Sequence, residues 1–244
     1  MATRANWLTF YITVLGLVLS YSVSYVFDTG TILVLTREDG FFEYLSAILF
    51  FFSSVMFFLS FLKDKSGNDL FFFSTKKNLF FLFLSIIFLF GAGEEISWGQ
   101  RLFGFETPNK IQTINEQMEF NIHNLNVFYG KSYKFLNRTN ISSLLIFNRV
   151  FDLFWISFCI LLPFSNKVFL SFSLFFKRIN LPIPPTFLGA LFLINAVFSQ
   201  IVKSSIPIEV YSEVAEIKEA NFSLLFFLIS IYFFGHFSII GSKK

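Results

Sequence analysis

Cysteine, histidine and charge are all scarce in this 244-residue chain, and each scarcity removes a class of protein. The single thiol, Cys159, sits in an apolar run, closes no internal disulfide and cannot build a thiolate metal cluster. Two histidines, His123 and His236, fall short of a three-histidine zinc site. Charged residues make up 14% of the chain, against about 25% in soluble globular domains. The net charge of +3 is small and its lysines are scattered between apolar runs. That argues against nucleic acid as a partner and makes the basic residues reporters of topology. There is no Gly-rich phosphate loop, nucleophile elbow or His-Glu-x-x-His.

What fills the chain instead is hydrocarbon: 55% hydrophobic residues, 21% aromatic, with 41 Phe read as lipid-facing. The apolar blocks are long enough to cross a core of about 30 Å as helices, which takes roughly 20 residues, and lack the alternation of barrel strands. The expectation is an all-α polytopic transmembrane helix bundle, a single domain over residues 1–244. It has about six spans, at about 7–27, 41–62, 79–103, 143–164, 186–202 and 221–240. The amino terminus carries Arg4 and then an apolar run with no small-residue cleavage site, which reads as a retained anchor. A long outer insert, about 105–141, carries a short surface helix opening at Thr107 and Pro108, with Ile111, Ile114 and Met118 along one side.

The third apolar run, Leu79 to Gly93, is too short to cross by itself. Its helix is expected to continue through Glu94 and Glu95 to Arg101, which places two carboxylates in the outer third of the bilayer. With the amino terminus inside, Arg4, Lys63, Lys65, Lys76, Lys77, Lys167, Lys177, Arg178, Lys243 and Lys244 all fall on the inner side. The reading is therefore a multi-pass membrane protein with both termini cytoplasmic. Most acids gather at the outer face, among them Asp39, Glu43, Glu94, Glu95, Glu209, Glu213, Glu216 and Glu219.

Carboxylates at that depth normally face the bundle interior and pair, because exposing one to lipid costs a few kcal/mol. Arg101, seven residues after Glu94, is the nearest partner on the same helical face, and a structural anchor with Trp98 in the aromatic belt satisfies the same physics. The functional reading makes Glu43, Glu94 and Glu95 one polar pocket with His123 as a further acid, base or ligand. Arg101, Trp98 and Asp39 then contact substrate, and Glu43, Glu94, Glu95 and Glu213 form a ligand set for a divalent cation, the one cofactor such a cluster suggests. The stripe Glu209, Glu213, Glu216, Glu219 keeps one broad helical face and supplies one or two further acids to the pocket, or else lies solvated. Deeper in the bundle, Arg149 with Asp152 reads as a self-neutralising packing pair, and Asn195 and Gln200 as interhelical hydrogen-bond formers.

Arg37-Glu-Asp-Gly-Phe-Phe-Glu-Tyr-Leu-Ser46, Gly93-Glu-Glu-Ile-Ser-Trp-Gly-Gln-Arg-Leu-Phe-Gly-Phe-Glu-Thr-Pro108 and Asn121-Ile-His-Asn124 together resemble a group of uncharacterised bacterial multi-pass membrane proteins. That resemblance covers roughly residues 37 to 126 and implies a bacterial membrane protein. Glu94-Glu95 followed by Arg101 is also similar to the Glu-Glu-x-x-x-Arg of prenyl-endopeptidase-like intramembrane proteases, with a gap two residues longer. Function is expected to lie at the acidic pocket: an enzyme acting on a lipid or lipid-linked substrate. The alternatives are a cation- or proton-coupled transporter, or a non-catalytic subunit that docks a membrane protein partner.

Overall fold

The computed structural model describes residues 4–37, 40–70, 73–115, 118–122, 124–125, 147–207 and 210–241. Their architecture is all-α. Among the described residues five helices are long and apolar enough to cross a membrane, or six if one bent pair is counted as a single span.

Helix α1 (Arg4–Val26) is followed at once by a short helix that the sequence did not announce, α2 (Thr29–Thr36). Asp28 starts it, accepting from the Thr31 amide at 3.1 Å and the Thr31 hydroxyl at 2.7 Å. Gly40 then opens α3 (Phe41–Lys63); a Cβ there would lie 2.4 Å from the Arg37 carbonyl oxygen, so this corner admits glycine alone. The polar loop after α3, expected as a simple turn, holds a small antiparallel hairpin of β1 (Asn68–Leu70) and β2 (Phe73–Thr75). Asn78 caps α4 (Leu79–Glu95) by accepting from the Phe80 amide.

Beyond α4 come a 3₁₀ turn (Ser97–Gly99) and the short helices α5 (Gln100–Phe103) and α6 (Asn109–Gln112). Pro108 caps α6 rather than entering its first turn, and the buried Thr107 hydroxyl makes no hydrogen bond, so the expected Thr107 cap is not formed. The single turn of α6 is all that forms of the surface helix among the described residues, and Ile114 and Met118 beyond it are exposed. Most of the remaining insert, with its Asn-x-Ser/Thr sequences at Asn137 and Asn140, lies outside the described residues.

The fourth span combines α7 (Phe147–Trp155), a π-helical stretch (Ile156–Leu161) and α8 (Leu162–Val168). A short helix α9 (Leu170–Arg178) exposes Leu170, Phe172 and Leu174. Then α10 (Thr186–Ser205) and α11 (Glu213–Gly241) complete the bundle, α11 beginning some eight residues before the apolar run expected as its span.

Helix α3 packs against both α4 and α11, and α10 packs against α1 and α11. The core between them is built of phenylalanine. Phe57, Phe192, Phe222 and Phe226 are fully buried, and Phe88 meets Phe226 with ring centroids 4.8 Å apart. This corrects the reading of the Phe residues as lipid-facing: many face outward, yet the interior is also made of stacked rings, which fill volume without adding a polar atom. At the loop end of α3 and α4, asparagines tie the hairpin to the α9–α10 turn. Asn68 donates to the Ile179 carbonyl at 2.8 Å, and Asn180 donates to the Gly67 carbonyl at 2.9 Å.

Candidate functional site at the bend after α4

The helix carrying Glu94 and Glu95 does not run on to Arg101. It stops at Glu95, and the chain turns by 69° into α5. Ser97, Trp98 and Gly99 take positive φ in succession, at 46°, 55° and 78°. Three left-handed residues in a row reverse the sense of the backbone, and only the glycine does so without steric cost. The expected continuous span over about 79–103 is therefore a broken one, and the expected pairing of Arg101 with Glu94 across two helical turns is lost with it.

Hydrogen bonds from the following loop hold the bend. Glu94 is buried, and its two carboxylate oxygens accept from the Trp98 indole N–H at 2.6 Å and the Ile122 amide at 2.7 Å. Arg101 forms its ion pair with Glu119 instead, and Ser97 donates to the other oxygen of the same carboxylate. Asn121 donates to Glu119 at 3.2 Å and to the Ser97 hydroxyl at 3.1 Å, while Gln100 accepts from the Phe120 amide at 2.8 Å. Sequence reasoning gave Glu119, Asn121 and Gln100 no role at the site, although Gln100 and Asn121 fall within motifs quoted above. They act only once the chain has turned back.

Glu95 points elsewhere. It is half-buried, and the carboxylates of Glu219, Glu216, Glu43 and Glu94 all act on it electrostatically. The adjacent glutamates are thus divided: Glu94 is committed to the bend, and Glu95 faces acids from α3 and α11. The acidic stripe divides as well. Glu216 and Glu219 reach the cluster, whereas Glu213 accepts from the Thr36 hydroxyl at the end of α2 and from the Ser212 hydroxyl at 3.1 Å.

Among the described residues no group of three or more His, Cys, Asp or Glu side chains is arranged to hold a metal ion. The four carboxylates of the expected cation set, Glu43, Glu94, Glu95 and Glu213, are not gathered into one such group. Glu213 is bonded to α2, and both oxygens of Glu94 already accept hydrogen bonds. His123, Asp39 and Glu209 lie outside the described residues.

On the other side of α4 a groove of about 660 Å³ opens outward. Its α3 wall is Tyr44, Ala47, Ile48, Phe51 and Phe52, a spacing that keeps one helical face, and Leu89, Gly93 and Ile96 line it from α4. After the bend, Leu102 and Phe103 close one end, with Trp98 set between groove and Glu94. Gly93 makes that placement possible, since a Cβ on it would come within 2.9 Å of the indole. Trp98 was expected among the substrate contacts and does line the groove. Arg101 lies beyond it, paired with Glu119.

A third polar feature lies between α1, α10 and α11. Tyr21 donates to the Asn195 side chain at 2.7 Å, Asn195 donates to the Lys218 carbonyl at 3.0 Å, and Asn221 donates to the Ser20 hydroxyl at 2.8 Å. Asn195 makes the interhelical bonds expected of it, while Gln200 is exposed. In the fourth span Asp152 accepts from the Trp155 indole at 2.8 Å.

The class this geometry defines is a multi-spanning α-helical membrane bundle with one sharply bent helix pair and carboxylates near the bend. Comparison with protein-family models, curated proteins and solved structures gives no match to the chain.

Proposed function

We propose that the chain works at the outer leaflet of a bacterial cytoplasmic membrane, both termini cytoplasmic, as an enzyme acting on a lipid or lipid-linked substrate. The observation that carries this reading is the meeting of two unlike features at one break. An apolar groove opens between α3 and α4, and the same two helices carry Glu43, Glu94 and Glu95 one residue from its lining in sequence, on faces turned away from it. A groove of about 660 Å³ is in the range of small-molecule sites, which combine apolar walls with a few polar groups. Two carboxylates in unequal surroundings are the arrangement from which a general acid and a general base are made. In this reading Glu95 and Glu43 carry the proton transfers, and Glu94 positions Trp98 and the loop at Ile122. Arg101, His123 and Asp39 keep the roles expected of them from the sequence, Arg101 and Asp39 as substrate contacts and His123 as a further acid or base.

The test is a turnover experiment. Purified protein reconstituted into vesicles of total bacterial lipid extract is incubated, and the lipids are profiled by mass spectrometry. The expected result is loss of one lipid class and gain of a product with wild type. Glu95→Gln, folded by the criterion of an unchanged thermal transition, should slow that conversion by about 10²-fold or more, the typical contribution of a positioned proton-transfer group. No conversion by wild type, or full activity in Glu95→Gln, overturns the proposal.

A further inference from the structure

At the end of the bundle away from the bend, three stretches distant in sequence are fastened together. The hairpin pairs Asn68 with Thr75, and a Cβ on Gly67 would lie 2.0 Å from the Thr75 carbonyl oxygen and 3.5 Å from the Lys76 backbone. The stretches bearing Lys65 and Lys76 therefore run side by side. The α9–α10 turn closes on them. Asn180, at φ 50°, donates to the Ser66 carbonyl at 3.3 Å and the Gly67 carbonyl at 2.9 Å. In return Asn68 donates to the Ile179 carbonyl and Asn78 to the Asn180 carbonyl, each at 2.8 Å. Asn68 and Asn78 are buried, so water does not compete for these bonds.

The fastened stretches are basic. Residues 63–78 and 167–180 carry seven Lys and Arg against two acids, Asp64 and Asp69. Asp64 is buried and turned into its own loop, accepting from the Ser66 amide at 2.8 Å and the Ser66 hydroxyl at 2.9 Å. Lys63 lies over the Phe234 ring and Lys77 donates to the Leu62 carbonyl, so both are engaged within the bundle. Lys65, Lys76 and Lys177 are exposed and, among the described residues, form no ion pair. Orientation across a bilayer asks only that cations be present in such loops. It does not ask that they be fastened to one another.

Helix α9 supplies an apolar counterpart. Its nine residues rise about 13 Å, less than half of a hydrocarbon core of about 30 Å, so it does not cross. Phe176 and Ile179 are buried and seat its last turn beside the asparagine ties. Leu170 and Leu174, one turn apart on one face, are 75% and 58% exposed, and the cations Lys177 and Arg178 are confined to the last turn. An element at the bilayer edge that is apolar at one end and basic at the other meets acyl chains with the first and phosphate with the second.

We infer that α9 and the β1–β2 hairpin form a docking surface for an anionic phospholipid, its phosphate among Lys65, Lys76 and Lys177 and an acyl chain against Leu170 and Leu174. The surface lies at the opposite end of α4 from Glu94 and Glu95, so it stands or falls independently of the enzyme reading.

The experiment is lipid retention by the detergent-purified full chain. The protein is exposed to equimolar phosphatidylglycerol and phosphatidylethanolamine with matched acyl chains, and bound lipid is counted by native mass spectrometry. Wild type should retain the glycerol lipid over the ethanolamine lipid by about tenfold or more, since one lysine near an anionic surface contributes about fivefold. That preference should shrink as ammonium acetate rises from about 0.1 M to about 1 M, where the screening length falls to about 3 Å. Lys177→Gln should lower the preference by about fivefold. The triple variant Lys65→Gln, Lys76→Gln, Lys177→Gln should bring the lipids to parity with an unchanged thermal transition, because these side chains are exposed. Lys110→Gln, at an exposed lysine beyond the bend, should leave the preference intact. Equal retention by wild type, preference for the ethanolamine lipid, or a preference that survives in the triple variant overturns the inference. So does a loss in Lys110→Gln as large as in Lys177→Gln, which would make the selectivity a property of overall charge.

Discussion

At the scale of single residues, the adjacent glutamates are the most informative pair in the molecule, because identical chemistry is put to two uses one residue apart. The sequence made both conspicuous by placing them at the end of a hydrocarbon run. What it concealed was their division, since that depends on Trp98 turning back onto Glu94 in a left-handed turn. Gly93 is the clearest test. Gly93→Ala places a methyl group 2.9 Å from the indole, so the ring must leave its seat and the Glu94 bond must break. The expected cost is about 1–3 kcal/mol of stability, as for an overpacked site, with increased quenching of Trp98 fluorescence by an aqueous quencher. An unchanged thermal transition together with unchanged quenching would contradict the geometry. Asp28 offers a pH test outside the spans. The Thr31 hydroxyl, and then the Thr31 amide, hold its carboxyl below the ordinary value. The sign follows from linkage: a depressed carboxylate stabilises the corner above its unfolded pKa, and that contribution disappears as pH falls through the folded value. Amide exchange at Thr31, corrected for its intrinsic pH dependence, should lose protection as the medium becomes acidic in wild type, and this acid-dependent loss should be absent in Asp28→Ala.

At the scale of elements, existence and type were legible and continuity was not. Apolar block length finds each long helix, because crossing a bilayer requires it. The third block was read as too short to cross, and the continuous helix expected to extend it is instead bent by 69° after Glu95. Gly99 and Gly104 were the available signals of a break, both adopting left-handed φ. Ser97 and Trp98 carry no such mark and are held there by hydrogen bonds and packing from distant residues. The π-helical stretch of the fourth span is a comparable case, hidden in an ordinary apolar run. Its Cys159 carbonyl oxygen lies where a Cβ on Gly189 would sit, 2.2 Å away, so α10 approaches the widened helix through a glycine. Gly189→Ala should force the two backbones apart. The expected loss is about 1–3 kcal/mol or more, and a Cys159 made accessible to a thiol reagent that leaves the buried wild-type residue untouched. Wild-type stability and reactivity in that variant would mean the close approach does not exist.

At the scale of the whole molecule, the distribution of polar groups separates an enzyme or lipid-binding protein from a transporter. The half of the bundle that carries the bend holds the carboxylate cluster and the polar seam of Asn221, Tyr21 and Asn195. Among the described residues the seam gives way there to the packed rings of Phe57, Phe81, Phe88, Phe226 and Phe233. A charge moving away from the bend would meet stacked aromatics broken only by hydroxyls such as the Ser54–Ser85 pair and Ser230, none of them ionisable, at a cost of several kcal/mol. Had the carboxylates served coupled transport, a chain of polar side chains should continue to the opposite face. Vesicles containing the wild-type protein and a trapped pH-sensitive dye should therefore dissipate an imposed proton gradient no faster than protein-free vesicles. Asn195→Leu probes the seam's role from the other side. It removes a bond to Tyr21 and one to the Lys218 carbonyl, each worth about 0.6 kcal/mol on average between membrane helices, so a modest stability loss is expected, with no change in proton flux. Rapid dissipation by wild type that Asn195→Leu abolishes would identify the seam as a conduit and make the acids at the bend its outer mouth.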